Sequence, residues 1–319
     1  MLTYKKSISI IVGCFVLIFL AACSSDEGDQ AEENSEPEES EKVETFEHTA
    51  GETEIEGVPE DVVVLAEPLL DHTLALGVTP VGSAAQEEGF VPYLEDEAEN
   101  VTVIGGTNDP NLESIVELSP DLILGFGGQH DEVYDQLEAI APTVLVDPNQ
   151  TAQENLKYIS SILDKEEEAD EFLAEYDEKA EQVQASLEES VGDETVAFIR
   201  IREKEVRVYG GTRNAGSILY DDLGLTPSDI VPLDKWAEAV SIEALPEDDP
   251  DHIFLLVDEN AEDKYEEIQQ YSIFEELEAV QKDQVYSVGF SPWVSGYAPL
   301  GNMEAINIVD EHLNEGAGN

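Results

Sequence analysis

"PNLESIVELSPDLILGFGG", residues 110–128, passes from one kind of secondary structure to another within a few positions. Asn111 is suited to cap a helix, because its side-chain oxygen can accept hydrogen bonds from the free amides of a first turn. The spacing predicts a helix running to Leu118. Pro120 breaks it, since proline has no N–H and disfavours the helical conformation in the residue before it. The apolar run "LILGF" that follows has the length of a buried strand. A helix that turns at once into a buried strand is half of a βαβ unit.

The same rhythm extends to both sides. "DVVVLA" (61–66) is a short apolar run, and "LLDHTLALG" (69–77) has helical spacing ending on Gly77, a C-cap residue. "PVGSA" and "VTVIGG" read as short strands, "VYDQLEAIA" as a helix and "TVLVD" as a strand. The implied architecture is α/β, a mainly parallel sheet flanked by helices. A second set follows Ser190: "TVAFIRIR", "VRVYGG", "SILYDDLG", "DHIFLLVD", "FEELEAV", "QVYSVG" and "MEAINIVDEHL". Between the sets, residues 154–189 contain neither Gly nor Pro, and Phe172, Tyr176, Ala180, Val183 and Leu187 recur at spacings of three and four. That is the apolar stripe of one long helix. The expected organisation is a first lobe at 46–153, a linking helix region at 154–190 and a second lobe at 191–319.

The N-terminal residues are of a different kind. "MLTYKKSISIIVGCFVLIFLAAC" has two lysines ahead of an apolar run too short for a stable membrane span, and reads as a secretory signal over residues 1–22. Its ending, "LAAC", resembles the bacterial lipobox, which implies cleavage before Cys23 and lipidation of that thiol. Cys14 would leave with the signal, so no disulfide or thiol-ligated metal is expected. Residues 24–45 hold ten acids and almost nothing apolar, so 23–45 reads as a lipidated cysteine followed by a disordered tether. The chain carries 74 acidic against 14 basic residues, a net charge of −60. Such a surface repels nucleic acid phosphates and suits a secreted protein made for high salt or high pH.

Five stretches in order, "VVVLAEPLLDHTLALGVTPVG", "PNLESIVELSPDLIL", "SILYDDLGL", "AVSIEAL" and "DPDHIFLLV", resemble the ferric-siderophore-binding lipoproteins of ABC importers in Gram-positive bacteria. The resemblance spans about residues 55–315. It implies two α/β lobes joined by one rigid helix, with the ligand cleft between them. It also implies a monomeric, lipid-anchored receptor on the outer face of the cell membrane. That receptor would capture a ferric siderophore and deliver it to an ABC permease served by a cytoplasmic ATPase, with no cofactor and no catalysis. Other bulky chelates (ferric citrate, a catecholate, haem or cobalamin) are alternatives, and a free transition-metal ion or an adhesin role is more remote. No Gly-x-Ser-x-Gly, HExxH or Walker loop is present.

All four arginines lie in "FIRIREKEVRVYGGTRN", residues 198–214. Arg200 and Arg202 alternate with Ile199 and Ile201 and so share one face of a strand. The resemblance implies that this Arg-x-Arg points into the cleft, where a planar, always-charged guanidinium suits hydroxamate or carboxylate oxygens. Arg213 sits in a glycine-containing loop and is a candidate either for the ligand or for a surface acid, while Arg207 is expected to face solvent. Tyr209, Trp236, Trp293 and Tyr297 are the aromatic ligand candidates; Trp293 and Tyr297 lie in "GFSPWVSGYAPLG", whose glycines and prolines suggest exposure. From Val43 to Leu156 there is no Lys or Arg, and the expected cleft loops "GSAAQEEGF", "GGTND" and "GFGGQH" are rich in glycine, with Asn, Gln, Ser and His among them. Family members that bind tris-catecholates usually offer cations from both lobes. The departure favours a hydroxamate or citrate–hydroxamate. His130 is expected to contact the ligand, and a rival metal site would need His72 and His130 to meet. By resemblance, Glu113 and Glu243 are the residues that dock on the permease.

Overall fold

The computed structural model describes residues 42–86, 89–213, 215–294 and 298–315. The signal, Cys23, the tether up to residue 41 and Tyr297 lie outside the described residues. The folded chain begins three residues before the expected boundary. Strand β1 (Val43–His48) pairs antiparallel with β2 (Gly51–Glu56), so residues 43–45 belong to a sheet and not to the tether. The hairpin is held by tertiary contacts that no local pattern announces: the Thr49 amide donates to the Leu145 carbonyl at 3.1 Å, and the Thr53 hydroxyl to that of Thr143 at 2.8 Å.

The first lobe follows the expected rhythm. β3 (Val62–Val64) is buried throughout and leads into α1 (Glu67–Ala75), which has Pro68 in its first turn. Gly77 lies just past that helix in the left-handed region, at φ 71°. β4 (Gly82–Ser83), β5 (Thr102–Val103) and the small hairpin β6 (Gly105–Gly106) and β7 (Asp109–Pro110) precede α2 (Leu112–Leu118). Asn111 caps α2 as expected, its Oδ1 accepting from the amides of Glu113 and Ser114 at 3.0 and 3.2 Å. Ser119 closes the helix in the left-handed region ahead of Pro120, and β8 (Leu122–Phe126) is wholly buried. α3 (Tyr134–Glu138) and β9 (Thr143–Val146) complete the lobe. Its sheet has the order β5-β4-β3-β8-β9 and is parallel throughout.

The linking region is two helices and not one. α4 (Ala152–Leu163) is opened by a capping box between Thr151 and Glu154, and α5 runs from Glu166 to Ser190. The break falls at Asp164, which takes a left-handed conformation (φ 54°) that aspartate tolerates better than most residues. The absence of Gly and Pro therefore did not guarantee continuity. The expected stripe is real. Ala169 packs in the first-lobe core and Tyr176, Ala180, Val183 and Leu187 in that of the second, so one rod carries side chains of both.

The second lobe contains β10 (Thr195–Ile201), β11 (Val206–Tyr209), β12 (Thr226–Pro227), β13 (Ala237–Val240), α6 (Leu245–Asp248), β14 (His252–Val257), α7 (Glu262–Gln269), α8 (Ser272–Glu275), α9 (Glu278–Gln281), β15 (Val285–Val288) and α10 (Pro299–Asp310). Its sheet order is β13-β11-β10-β14-β15, with β12 beside β10. This sheet is mixed: β14, β15 and β12 run parallel to their neighbours, but β11 is antiparallel to β10 and β13. The link from β10 to β11 is too short for a crossover, which leaves only a hairpin. α1, α4, α5 and α10 pack together as a shared spine. Among the described residues no helix is long and apolar enough to cross a membrane.

Candidate functional site

Parallel strands present their carboxyl ends on one edge, and ligands of open α/β sheets bind there. Both lobes bring such ends together around two adjoining cavities of about 650 and 690 Å³, which share Gln86 and Phe290. The first is lined by the start of α1 (Ala66 to Pro68), Thr107 and Asn108, the turn after β8 (Phe126 to Gln129) and Pro148, with Phe290 and Val294 facing them from the second lobe. The second lies between Gly89 to Pro92 on one side and Arg200, Val257 to Asn260 and Gly289 to Ser291 on the other. All three glycine-containing loops expected from the sequence contribute to this region or support it. Gly127 is required there by close approach, since a Cβ would come within 2.2 Å of the Thr49 hydroxyl oxygen.

Arg200 reaches the cleft, but with its charge already matched. Its Nε donates to Asp258 Oδ1 at 2.7 Å, Nη2 to Oδ2 at 3.1 Å and Nη1 to the Tyr209 hydroxyl at 3.1 Å. Burial opposes the charge, yet these bonds raise the pKa, so the guanidinium stays protonated. A guanidinium has five N–H donors, so two remain for a ligand. The guanidinium also lies 4.9 Å from the Phe290 ring centre, a cation–π distance. Arg202 points to the same acid, 3.7 Å from Asp258, and is held by Glu205 at 2.8 Å. It lines a separate, neighbouring hollow of about 350 Å³ with Lys204 and Asn260. The alternation on β10 is as expected, but the two arginines do not form one clamp. Arg213 reaches across to the first lobe, with Nη2 3.5 Å from Asn149 Oδ1. Arg207 is not free in solvent; it pairs with Glu205 and lies over the Trp236 ring.

Three candidates are corrected. Trp293 is fully buried, 5.2 Å from Phe198 and 5.7 Å from Phe254 between ring centres, because covering a large apolar ring outweighs the loop's turn-forming composition. Tyr209 is fully buried as well; only its hydroxyl acts near the site, by holding Arg200. His130 is buried, its Nδ1 accepting from the Phe126 amide at 2.9 Å and its Nε2 donating to the Thr107 carbonyl at 3.0 Å. Burial lowers its pKa. It therefore braces two cleft loops from behind and does not face a ligand. Trp236 is 40% exposed and beside Arg207.

His72 is held by the Pro68 and Ala152 carbonyls, and His130 by other backbone groups, so the two do not meet. Among the described residues no group of three or more His, Cys, Asp or Glu could hold a metal ion. Glu113 and Glu243 are exposed, each at the start of a helical segment, one on each lobe. The sequence reading missed Phe290, Glu67 and Asp258. Phe290 follows a strand in a glycine- and proline-containing loop, and its exposure is 45%. Asp258 lies just past the end of β14, and Arg200 is the penultimate residue of the neighbouring β10, a proximity that only strand pairing reveals.

The family model for periplasmic binding proteins matches residues 62–292. The chain is 30% identical to a Bacillus subtilis (strain 168) relative named probable siderophore-binding lipoprotein, over 96% of each chain. It is 30% identical to the iron(3+)-hydroxamate-binding protein of the same organism, over 89% of this chain and 90% of that one. Among solved structures, Staphylococcus aureus SirA in complex with staphyloferrin B is similar, with a TM-score of 0.73 and 28% identity over 85% of this chain and 98% of that one.

Proposed function

The chain belongs to the periplasmic binding protein family, and from that premise we propose that it is an extracytoplasmic receptor for a ferric siderophore, with hydroxamates and citrate–hydroxamates favoured. The family is a binding class and not an enzyme class. The observation that carries the reading is the pair of cavities at the strand ends, lined from both lobes. Each is within the size of a small-molecule site, about 300–1,000 Å³, and together they suit a bulky chelate. The names of the relatives support the same class: one binds a ferric hydroxamate, another ferric citrate.

In this reading the iron stays in its chelate and no bond is made or broken. Phe290, Phe126 and the glycine turn at 127–128 supply apolar contact, Gln86 and Asn108 supply neutral polar contact, and the two remaining N–H groups of Arg200 donate to chelate oxygens. The α5 rod is shared by both cores, so closure on the ligand is small. Lipidation of Cys23 would tether the receptor to the outer face of the membrane as a monomer. Glu113 and Glu243 would then dock it on an ABC permease driven by a cytoplasmic ATPase.

Equilibrium titration with ferric hydroxamate, ferric citrate and ferric tris-catecholate complexes at one pH and salt tests the reading. Saturable binding is expected, tightest for a hydroxamate-containing chelate. Absence of binding to every chelate would reject the receptor role, and a preference for the tris-catecholate would reject the ligand class.

A further inference from the structure

Among the described residues, the charged side chains that line the two cavities are Arg200, Asp258, Glu67 and Glu259. One arginine therefore stands against three carboxylates. The arginine and Asp258 cancel within a bidentate pair. Glu259 is on the exposed rim, where salt screens it. What remains at depth is Glu67, 7% exposed, at the first position of α1. Its Oε2 accepts from the Gln86 amide at 2.8 Å and its Oε1 from the Val91 backbone N–H at 3.1 Å. A carboxylate has about four acceptor sites, so two are unused. Glu67 forms no salt bridge among the described residues, and its whole lobe from Val43 to Leu156 lacks Lys and Arg. Burial raises its pKa, against the pull of the two donors. A buried carboxylate without a cation is a costly arrangement unless something in the cleft complements it.

We propose that, of the two ligand types favoured above, the cleft selects neutral ferric trihydroxamates over the anionic citrate–hydroxamates, and that Glu67 is the specificity-determining residue, accepting a protonated amine carried by the trihydroxamate. The chemistry agrees with this choice. Three singly charged hydroxamates cancel the ferric ion and leave a neutral core, whereas three doubly charged catecholates leave a trianion. The neutral core fits against the internally balanced Arg200–Asp258 pair, which still donates hydrogen bonds. An ammonium has three donors and no acceptor, the complement of the unused Glu67 sites. An anionic pendant group at the same place would meet a buried carboxylate in a medium that screens poorly.

This inference rests on the receptor reading, and the test separates the two. The full lipid-free chain is titrated with a linear ferric trihydroxamate bearing one primary amine, with its N-acetyl derivative and with its N-succinyl derivative, which carries a carboxylate. The expected order is amine, then acetyl, then succinyl, with the amine form about tenfold tighter than the acetyl form, the scale of one charge-assisted hydrogen bond. Glu67→Gln keeps the shape and one acceptor, and should bring amine and acetyl forms within about twofold of each other while leaving the acetyl affinity within about threefold. Glu117→Gln, exposed on α2 and outside both cavities, should leave the amine preference intact, and thermal melts of both variants check the fold. Equal binding of amine and acetyl forms by the unmodified protein, or an amine preference that survives Glu67→Gln, overturns the assignment and leaves the receptor role standing. Failure of all three chelates to bind overturns both.

Discussion

Replacing Asp71 by alanine should loosen the join between the lobes, and the loss should depend on pH. Asp71 is a fully buried residue of α1. Its Oδ1 accepts from the Leu300 amide at 2.8 Å, and its Oδ2 from the Gly301 amide at 2.9 Å and the Tyr93 hydroxyl at 3.0 Å. Two of those donors lie in the first turn of α10, whose dipole also favours a negative charge. Removing the carboxylate leaves buried donors without partners, at about 1–3 kcal/mol each, and Tyr93 can turn to relieve one of them. The expected loss at pH 5 is therefore about 2–6 kcal/mol. Burial of Asp71 outweighs its three donors and pushes the pKa up to about 7. An unfolded aspartate titrates near ~3.9. The folded protein thus binds the extra proton between these values, so the contribution is complete below about pH 4 and is lost as pH rises through 7. At about 1.4 kcal/mol per pH unit, the unmodified protein loses roughly 2.5 kcal/mol between pH 5 and pH 8 through this group. The cost of Asp71→Ala should shrink by that amount over the same range. Urea unfolding at constant ionic strength, followed by fluorescence of the buried Trp293, measures it. The general repulsion of a −60 chain is common to both proteins and cancels in the difference. A cost that grows with pH would mean that the donors outweigh burial and the fold stabilises the anion. A cost under about 1 kcal/mol at pH 5 would refute the tie itself.

Two further outcomes are expected. Arg200→Ala removes the donors left for the ligand and strands Asp258, so affinity for a neutral ferric trihydroxamate should fall about tenfold or more; Arg207→Ala, whose guanidinium is taken up by Glu205 and Trp236, should change it by less than about threefold. Equal losses at both positions in a fluorescence titration would mean that general charge and not contact binds the ligand. The double variant Glu113→Ala, Glu243→Ala should leave chelate affinity unchanged, because both residues are exposed outside the cavities; uptake of iron chelate by cells should drop, and normal uptake would refute docking.

Local chemistry reaches only part of this molecule. The helix-to-strand turn at 110–128, the cap at Asn111, the stripe on α5 and the alternation of Arg200 with Ile201 were all legible, because each depends on neighbours within a few residues. The cation-free first lobe and its glycine loops were legible too, since composition survives folding. Partners distant in sequence were not. Asp258 meets Arg200 across 58 positions and Leu300 meets Asp71 across 229, and both depend on strand pairing and helix docking. The same holds for side-chain direction. Trp293 lies in a loop whose composition suggested exposure and His130 in one expected to face the cleft, yet both turn inward, one to cover the second core and one to tie two backbone segments. Sequence alone determined the α/β class, the two lobes and which loops line the cavities. Only the tertiary structure decided which charges there are already balanced, because a charge is neutralised by whatever packing brings within a few ångströms and not by what precedes it in the chain.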